Sequence, residues 1–292
     1  MNVKISDYIN KFNAGLYRYY MLNRNYLTNY NMMKNILKSF LVLLLAVVSF
    51  SLTAQNPVVI LEYMKVTQES ESTYLEVEQV WKKIHQKRIE AGVSAGWQLW
   101  RNVYAGYNDP YQYITVNWYS DYAQSFEGFP EGLLDQFANG PDAEIFNKTA
   151  GSRVLAARQV SHQIAEAENS TSTTTFIYVN QMHVKQGMGS DYVDMELELF
   201  KPVHEEAIKR GLRTHWGIWA NWPVKEGGAA YVTVDGYADA AQLTASGDAE
   251  LFLSVHSDLP AEEAYAKMNK LRKMDGVELW ELVDLVMPEA AE

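Results

Sequence analysis

Two histidines, His85 and His204, stand at matching places in two related stretches of the chain, and each follows an aromatic residue, Trp81 or Phe200, by four positions. On a helix that spacing puts ring and imidazole on one face. An imidazole turned inward there suits a general base, a proton relay or a haem ligand. It equally suits a helix-edge histidine bonded to a backbone carbonyl. Glu78 and Glu196 lie two turns earlier, about 10 Å along a helix axis, too far to orient the imidazoles by direct contact.

A second duplicated feature is Trp-x-x-Trp, at Trp97 and Trp100 and again at Trp216 and Trp219. Odd spacing on a strand sends the two rings to opposite faces, one into a helix-side core and the other between sheets. Asn102 and Asn221 follow on the face of Trp100 and Trp219. Their amides suit positioning a carbonyl or peroxide, or capping a hairpin. Metal and nucleophile signatures are lacking: there is no His-Glu-x-x-His, no Gly-x-Ser-x-Gly, no P-loop, no Gly-x-Gly-x-x-Gly and no cysteine. His183 and His215 have no ligand partner at a recognisable spacing, so no metal centre is expected.

These residues repeat because most of the chain is written twice. A shift of 118 to 119 positions superposes Met64, His85, Gly92, Trp97, Trp100, Asn102, Tyr113, Thr115, Tyr119 and Asp121 on Met182, His204, Gly211, Trp216, Trp219, Asn221, Tyr231, Thr233, Tyr237 and Asp239. A period this long fits two copies of one small domain. In the first copy Val58 to Val66 reads as a strand, and Ser72 to Ala91 as a helix with Tyr74, Val77, Trp81 and Ile84 on one face and Gly92 at its C-cap. Val93 to Tyr104 and Tyr111 to Tyr119 read as a hairpin. An irregular helical region within Asp121 to Lys148 and a strand from Arg153 to His162 complete the unit.

The second copy follows suit: strand Phe176 to Val184, helix Ser190 to Arg210, strands Leu212 to Trp222 and Ala229 to Tyr237 around Lys225-Glu226-Gly227-Gly228, helices within Ala238 to Lys273, and strand Val277 to Val283. The expected domains are residues 55–165 and 176–287, joined by a polar, flexible linker over 166–175. The shift grows by one residue between Glu196 and His204, beside Pro202, which predicts a π-bulge or kink in the second copy's first helix.

Ahead of the copies, Lys34 and Lys38 precede an apolar run from Phe40 to Val48 and a small-residue stretch ending at Ala54. This is the pattern of a signal peptide cleaved after Ala54, and the run is short for a membrane span. Residues 1–31, upstream of Met32 and Met33, read as an over-extended start. The expected destination is the periplasm or the exterior. Without residues 1–54 the chain keeps 19 basic and 35 acidic residues, a net charge of about −16. Such a surface excludes nucleic acid and anionic membranes as partners.

Element order βαββαβ is the ferredoxin-like, α+β pattern. Two such units of about 100 residues, with aromatic strands and an amphipathic first helix, resemble the dimeric α/β-barrel superfamily. Antibiotic-biosynthesis-type monooxygenases, NIPSNAP-like proteins, haem-degrading monooxygenases and chlorite-dismutase-like proteins belong to it. The resemblance implies two four-stranded sheets facing each other, usually from two subunits, with helices outside. Here the two halves supply both, making either a pseudo-dimeric monomer or a homodimer.

On Tyr111 to Tyr119 one face carries Tyr111, Tyr113, Thr115, Asn117 and Tyr119 and the other Gln112, Ile114, Val116 and Trp118; the second copy repeats the division. The hydroxyl-bearing face is the expected wall of a ligand pocket. The expected ligand-binding set is Trp100, Asn102, Tyr113, Thr115, Tyr119, Trp219, Asn221, Tyr231, Thr233 and Tyr237, with His85 and His204 as candidate catalytic residues. The leading expectation is an exported protein that binds a small apolar or aromatic molecule without a cofactor. The alternatives are a cofactor-independent monooxygenase-like or haem-using enzyme, and a structural pseudo-dimer with no ligand.

Overall fold

The computed structural model describes residues 56–171, 173–224, 227–245 and 248–288. The expected signal peptide and upstream start lie outside these residues, as do Lys225 and Glu226 of the second hairpin turn.

Each half follows the expected order. In the first, β1 (Val58–Lys65) leads to α1 (Glu71–Glu90), the hairpin β2 (Gly96–Asn102) and β3 (Tyr113–Tyr119), three short helices α2 (Leu133–Ala138), α3 (Ala143–Phe146) and α4 (Thr149–Ser152), and β4 (Val154–Glu166). In the second, β5 (Phe176–Val184) leads to α5 (Gly189–Met195), a π-helical turn (Glu196–Phe200) and α6 (Lys201–Lys209). The hairpin β6 (His215–Asn221) and β7 (Tyr231–Tyr237), helices α7 (Ala240–Thr244), α8 (Asp248–Val255) and α9 (Ala261–Leu271), and β8 (Arg272–Val286) complete it. The π turn sits where the extra residue was expected. Gly92 ends α1 at φ 75° and Gly211 ends α6 at φ 72°, left-handed values that suit glycine.

Strand order within the halves is β4-β1-β3-β2 and β8-β5-β7-β6, and the two sheets join into one closed eight-stranded barrel. Closure depends on the last strand of each half being longer than its sequence pattern indicates. The first part of β4 pairs with β1 (Val58 opposite His162), and its end crosses to β6 (Ser161 opposite Asn221, Glu166 opposite Gly217). The first part of β8 pairs with β5, and its end crosses to β2 (Asn102 opposite Trp280, Trp97 opposite Val286). The expected ends at His162 and Val277 are therefore corrected to Glu166 and Arg272. Lys273, Met274 and Asp275 are exposed at the start of β8, so they lack the alternation that marks a half-buried strand.

Three apolar cores follow. The barrel interior holds Trp100, Ile114, Val116, Ile177, Val179, Trp219 and Trp280. Tyr74, Trp97, Leu99 and Tyr113 fill the space between α1 and the first sheet. Tyr192, Phe200, Trp216, Phe252 and Met268 do the same for the second half. Trp97 and Trp100 thus divide between helix side and interior, as do Trp216 and Trp219. A buried acid underlies each copy. Glu78 forms an ion pair with Arg153. Its counterpart Glu196, near Arg272, accepts from Tyr192 and has its pKa raised from 4.5 to about 7 by burial.

The linker makes backbone contacts with the second half. Ala167 N donates to Trp216 O at 2.9 Å, Thr171 N to Thr214 O at 2.7 Å and Thr175 N to Tyr237 O at 2.9 Å. The Thr174 and Thr214 hydroxyls are 2.7 Å apart. Gly236 lets the linker lie close, since a Cβ there would fall 2.7 Å from His215 Cβ and 3.0 Å from Thr174 Cγ2.

Gly236→Ala should lower stability by about 1–3 kcal/mol, as overpacking does, and speed amide exchange at Thr171 and Thr175; unchanged thermal unfolding would show that the linker yields freely. Glu196 holds its proton in the folded chain between about pH 4.5 and 7 but loses it on unfolding. Stability should therefore fall as pH rises across that window and then level off, by an amount on the order of a few kcal/mol. Glu196→Gln should flatten the slope, which urea melts at pH 5, 6, 7 and 8 would reveal.

Candidate functional site

Two cavities lie on opposite sides of the first sheet. The larger, about 640 Å³, is inside the barrel. Its walls are residues of all eight strands, among them Val59, Val116, Trp118, Val179, Val234 and Trp280. Trp118 and Trp219 meet edge to face at 5.5 Å and 77°. The mouth is polar: Ser170, Thr171 and Thr174 of the linker border it with Glu166 and His215. His215 Nδ1 lies 3.2 Å from Glu166 Oε1, and this hydrogen bond holds the Glu166 carboxyl below its ordinary pKa. Where the β2–β3 hairpin meets β8, Glu278 accepts from Tyr111, from Trp280 Nε1 at 2.7 Å and from Asn102 Nδ2 at 3.3 Å. The Tyr111 hydroxyl is accordingly pushed well above its usual range, by burial first and by Glu278 second.

The smaller cavity, about 490 Å³, lies between α1 and the outer face of the first sheet. His85 lines it, stacked on Trp97 with ring centres 5.2 Å apart and planes 11° from parallel. Arg88 Nη1 donates to His85 Nδ1 at 3.2 Å. Because a guanidinium only donates, Nδ1 is the acceptor and the neutral ring carries its proton on Nε2. Burial, with Arg88 nearby, lowers the His85 pKa to about 3, so the ring stays neutral at ordinary pH. The second half repeats the stack, His204 on Trp216 at 4.8 Å. Arg213 donates to His204 Nδ1, and burial again holds that imidazole neutral.

The structure divides the expected ligand set. Trp100 and Trp219 line the barrel cavity. Thr115 and Tyr119 line the helix-side cavity with His85. Tyr113 instead reaches the first residue of α1, donating to Glu71 Oε1 at 2.7 Å. Tyr231 packs on Tyr192 at 5.1 Å, Thr233 accepts from Asn180 at 3.2 Å, and Tyr237 packs on Tyr178 at 5.7 Å. Asn221 ties off its hairpin, donating to Ala229 O at 3.0 Å and accepting from Ser161 at 2.5 Å.

The hydroxyl-bearing faces of β3 and β7 thus turn to the helices, and on β3 that face, through Thr115, Asn117 and Tyr119, borders the helix-side cavity. The inner face is the apolar one because a closed interior offers few partners for hydroxyls, whereas the helix layer supplies Glu71 and Arg88. Arg88, Trp118 and Trp280 escaped the expected set. Arg88 had a signal: a cation three residues after His85, on the apolar stripe of α1.

Among the described residues no group of three or more acidic or imidazole side chains could hold a metal ion, and no helix is long and apolar enough to cross a membrane.

A scan of protein-family models finds no match, and a search of curated proteins finds none. Among solved structures the chain is similar to a candidate monooxygenase of Lactobacillus acidophilus NCFM, with 11% identity, 80% of this chain and 97% of that one covered, and a TM-score of 0.48. It is also similar to a mutant chlorite dismutase of Candidatus Nitrospira defluvii, with 7% identity, coverage of 80% and 93%, and a TM-score of 0.45. A haem-binding protein of Thermus thermophilus matches with 9% identity, coverage of 79% and 92%, and a TM-score of 0.43. The strand order and the two seams establish that this chain builds, from its own two halves, the barrel of the dimeric α/β-barrel fold.

Proposed function

We propose that this is an exported protein that binds a small apolar or aromatic molecule inside its barrel. The observation that carries this reading is the interior cavity of about 640 Å³, walled by Trp100, Trp118, Trp219, Trp280 and aliphatic side chains, with polar groups gathered at one mouth. Apolar walls with a few polar anchors are the usual form of a small-molecule site. Both barrel seams are made within one chain, so the reading is of a monomer. The exported character rests on the leader pattern alone.

The residues do not fit a haem. An imidazole that ligates a metal presents a lone pair and commonly donates its other N–H to an acceptor. His85 has the opposite polarity: Nδ1 accepts from Arg88 and Nε2 carries the proton. In the barrel cavity the histidine is His215, at the mouth and paired with Glu166. The same tautomer leaves His85 without a free lone pair to act as a general base.

N-phenyl-1-naphthylamine, an uncharged aromatic probe, should bind saturably at one site and quench tryptophan emission. Val234→Phe, which puts a ring into the cavity, should weaken binding at least tenfold without lowering thermal stability. Unsaturable binding, or equal affinity in the stable variant, would remove the basis of this reading.

A further inference from the structure

The two halves hold matching clusters of imidazole, arginine and tyrosine that differ in one charge. In the second half Arg213 donates to His204 and lies over the Tyr237 ring at 5.9 Å. Its charge is met by Asp235, whose Oδ1 is 3.1 Å from Nη1. In the first half the arginine comes from α1 instead. Arg88 Nη2 donates to the Tyr119 hydroxyl at 3.0 Å, and Nη1 donates to His85 and, at 3.5 Å, to Asn117 Oδ1. Asn117 is the repeat counterpart of Asp235. The position that supplies a carboxylate in one copy supplies a neutral amide in the other.

Arg88 is 3% exposed. Its Nε has no hydrogen-bond partner, and its guanidinium lies over the Phe129 ring at 4.6 Å. A buried charge without an opposite charge is costly. The other charged groups facing this cavity cancel, since Glu62 pairs with Arg158 and Glu78 with Arg153. The cavity is therefore left with a single positive charge in a chain of net charge −11. Trp81, Phe129 and Leu155 give it apolar walls.

We propose that the helix-side cavity of the first half binds a small organic carboxylate, whose charge meets Arg88 as Asp235 meets Arg213 in the second half. The carboxylate accepts from the guanidinium, Nε–H included, and the aromatic or aliphatic body rests against Trp81 and Phe129. A planar carboxylate suits the fork of donors on arginine. This site is separate from the barrel cavity and does not depend on it.

Phenylacetate tests the idea, with phenylacetamide as its uncharged analogue. Phenylacetate at about five times its Kd should raise the unfolding temperature of the mature chain by roughly 2–4 °C, and phenylacetamide should not. Asn117→Asp installs the carboxylate of the second copy; it should raise the unfolding temperature without ligand and abolish the response. Arg88→Gln should also abolish it, and Val234→Phe, which blocks only the barrel, should keep it. Equal shifts from acid and amide, a response that survives in Asn117→Asp, an equal effect of inorganic phosphate, or no shift up to tens of millimolar would each overturn the proposal. Loss of the response in Val234→Phe would place phenylacetate in the barrel and overturn it too.

Discussion

Everything else in this molecule depends on the closing of two sheets by exchanged strand ends. A four-stranded sheet alone leaves two edges of unpaired N–H and C=O groups, which invite association. Here the end of β4 pairs with β6 and the end of β8 with β2, so each half satisfies the other's edges. Closure creates an interior large enough for the paired tryptophans and a cavity. It also brings the linker across the barrel mouth, because the chain leaves β4 beside β6 and must reach β5. The seams are covalently tethered, so the association that two separate subunits would need is supplied in advance.

Much of this architecture was legible in the residues. Duplication, element order and the amphipathic α1 followed from spacing. The π turn followed from one inserted residue beside Pro202. Trp97 and Trp100 divided between the faces of β2 as strand geometry requires. What the residues left open was which way the hydroxyl-bearing faces look. Alternation separates two faces but does not say which looks inward, and here the deciding contacts were remote: Glu71 on α1 for Tyr113 and Arg88 for Tyr119. The linker's contacts were hidden for a similar reason. A run of Ser and Thr looks loose by composition, yet its backbone finds partners on Trp216, Thr214 and Tyr237 that no local pattern reveals. The candidate imidazoles were placed correctly on the inner side of the helix, but their tautomers depended on arginines from positions that the repeat does not share.

That last point shows how the copies have parted. Arg88 aligns with Ala207, and Arg213 with Ser94. Each half thus places a guanidinium beside its stacked histidine and tyrosine from a different element, a helix in one and a loop in the other. The same local demand, a donor for a buried imidazole Nδ1, has been met twice. The second half then filled the surrounding space with Phe200, Phe252 and Tyr265, whose rings pack within 6.4 Å of one another. The first half kept its space open beside Phe129.

The long exchanged strand ends also govern the order in which the fold can be completed. β2 pairs on one side with β3, the next strand along the chain, and on the other with β8, whose Trp280 stands opposite Asn102. During synthesis the first half can form its hairpin early, but one edge of β2 and the ring of Trp100 stay uncovered until the eighth strand emerges. Contacts this distant in sequence form slowly, and exposed edges and apolar rings are what chaperones shield. A chain of this design is therefore most vulnerable to aggregation when nearly finished, and its yield depends on how fast its last strand arrives.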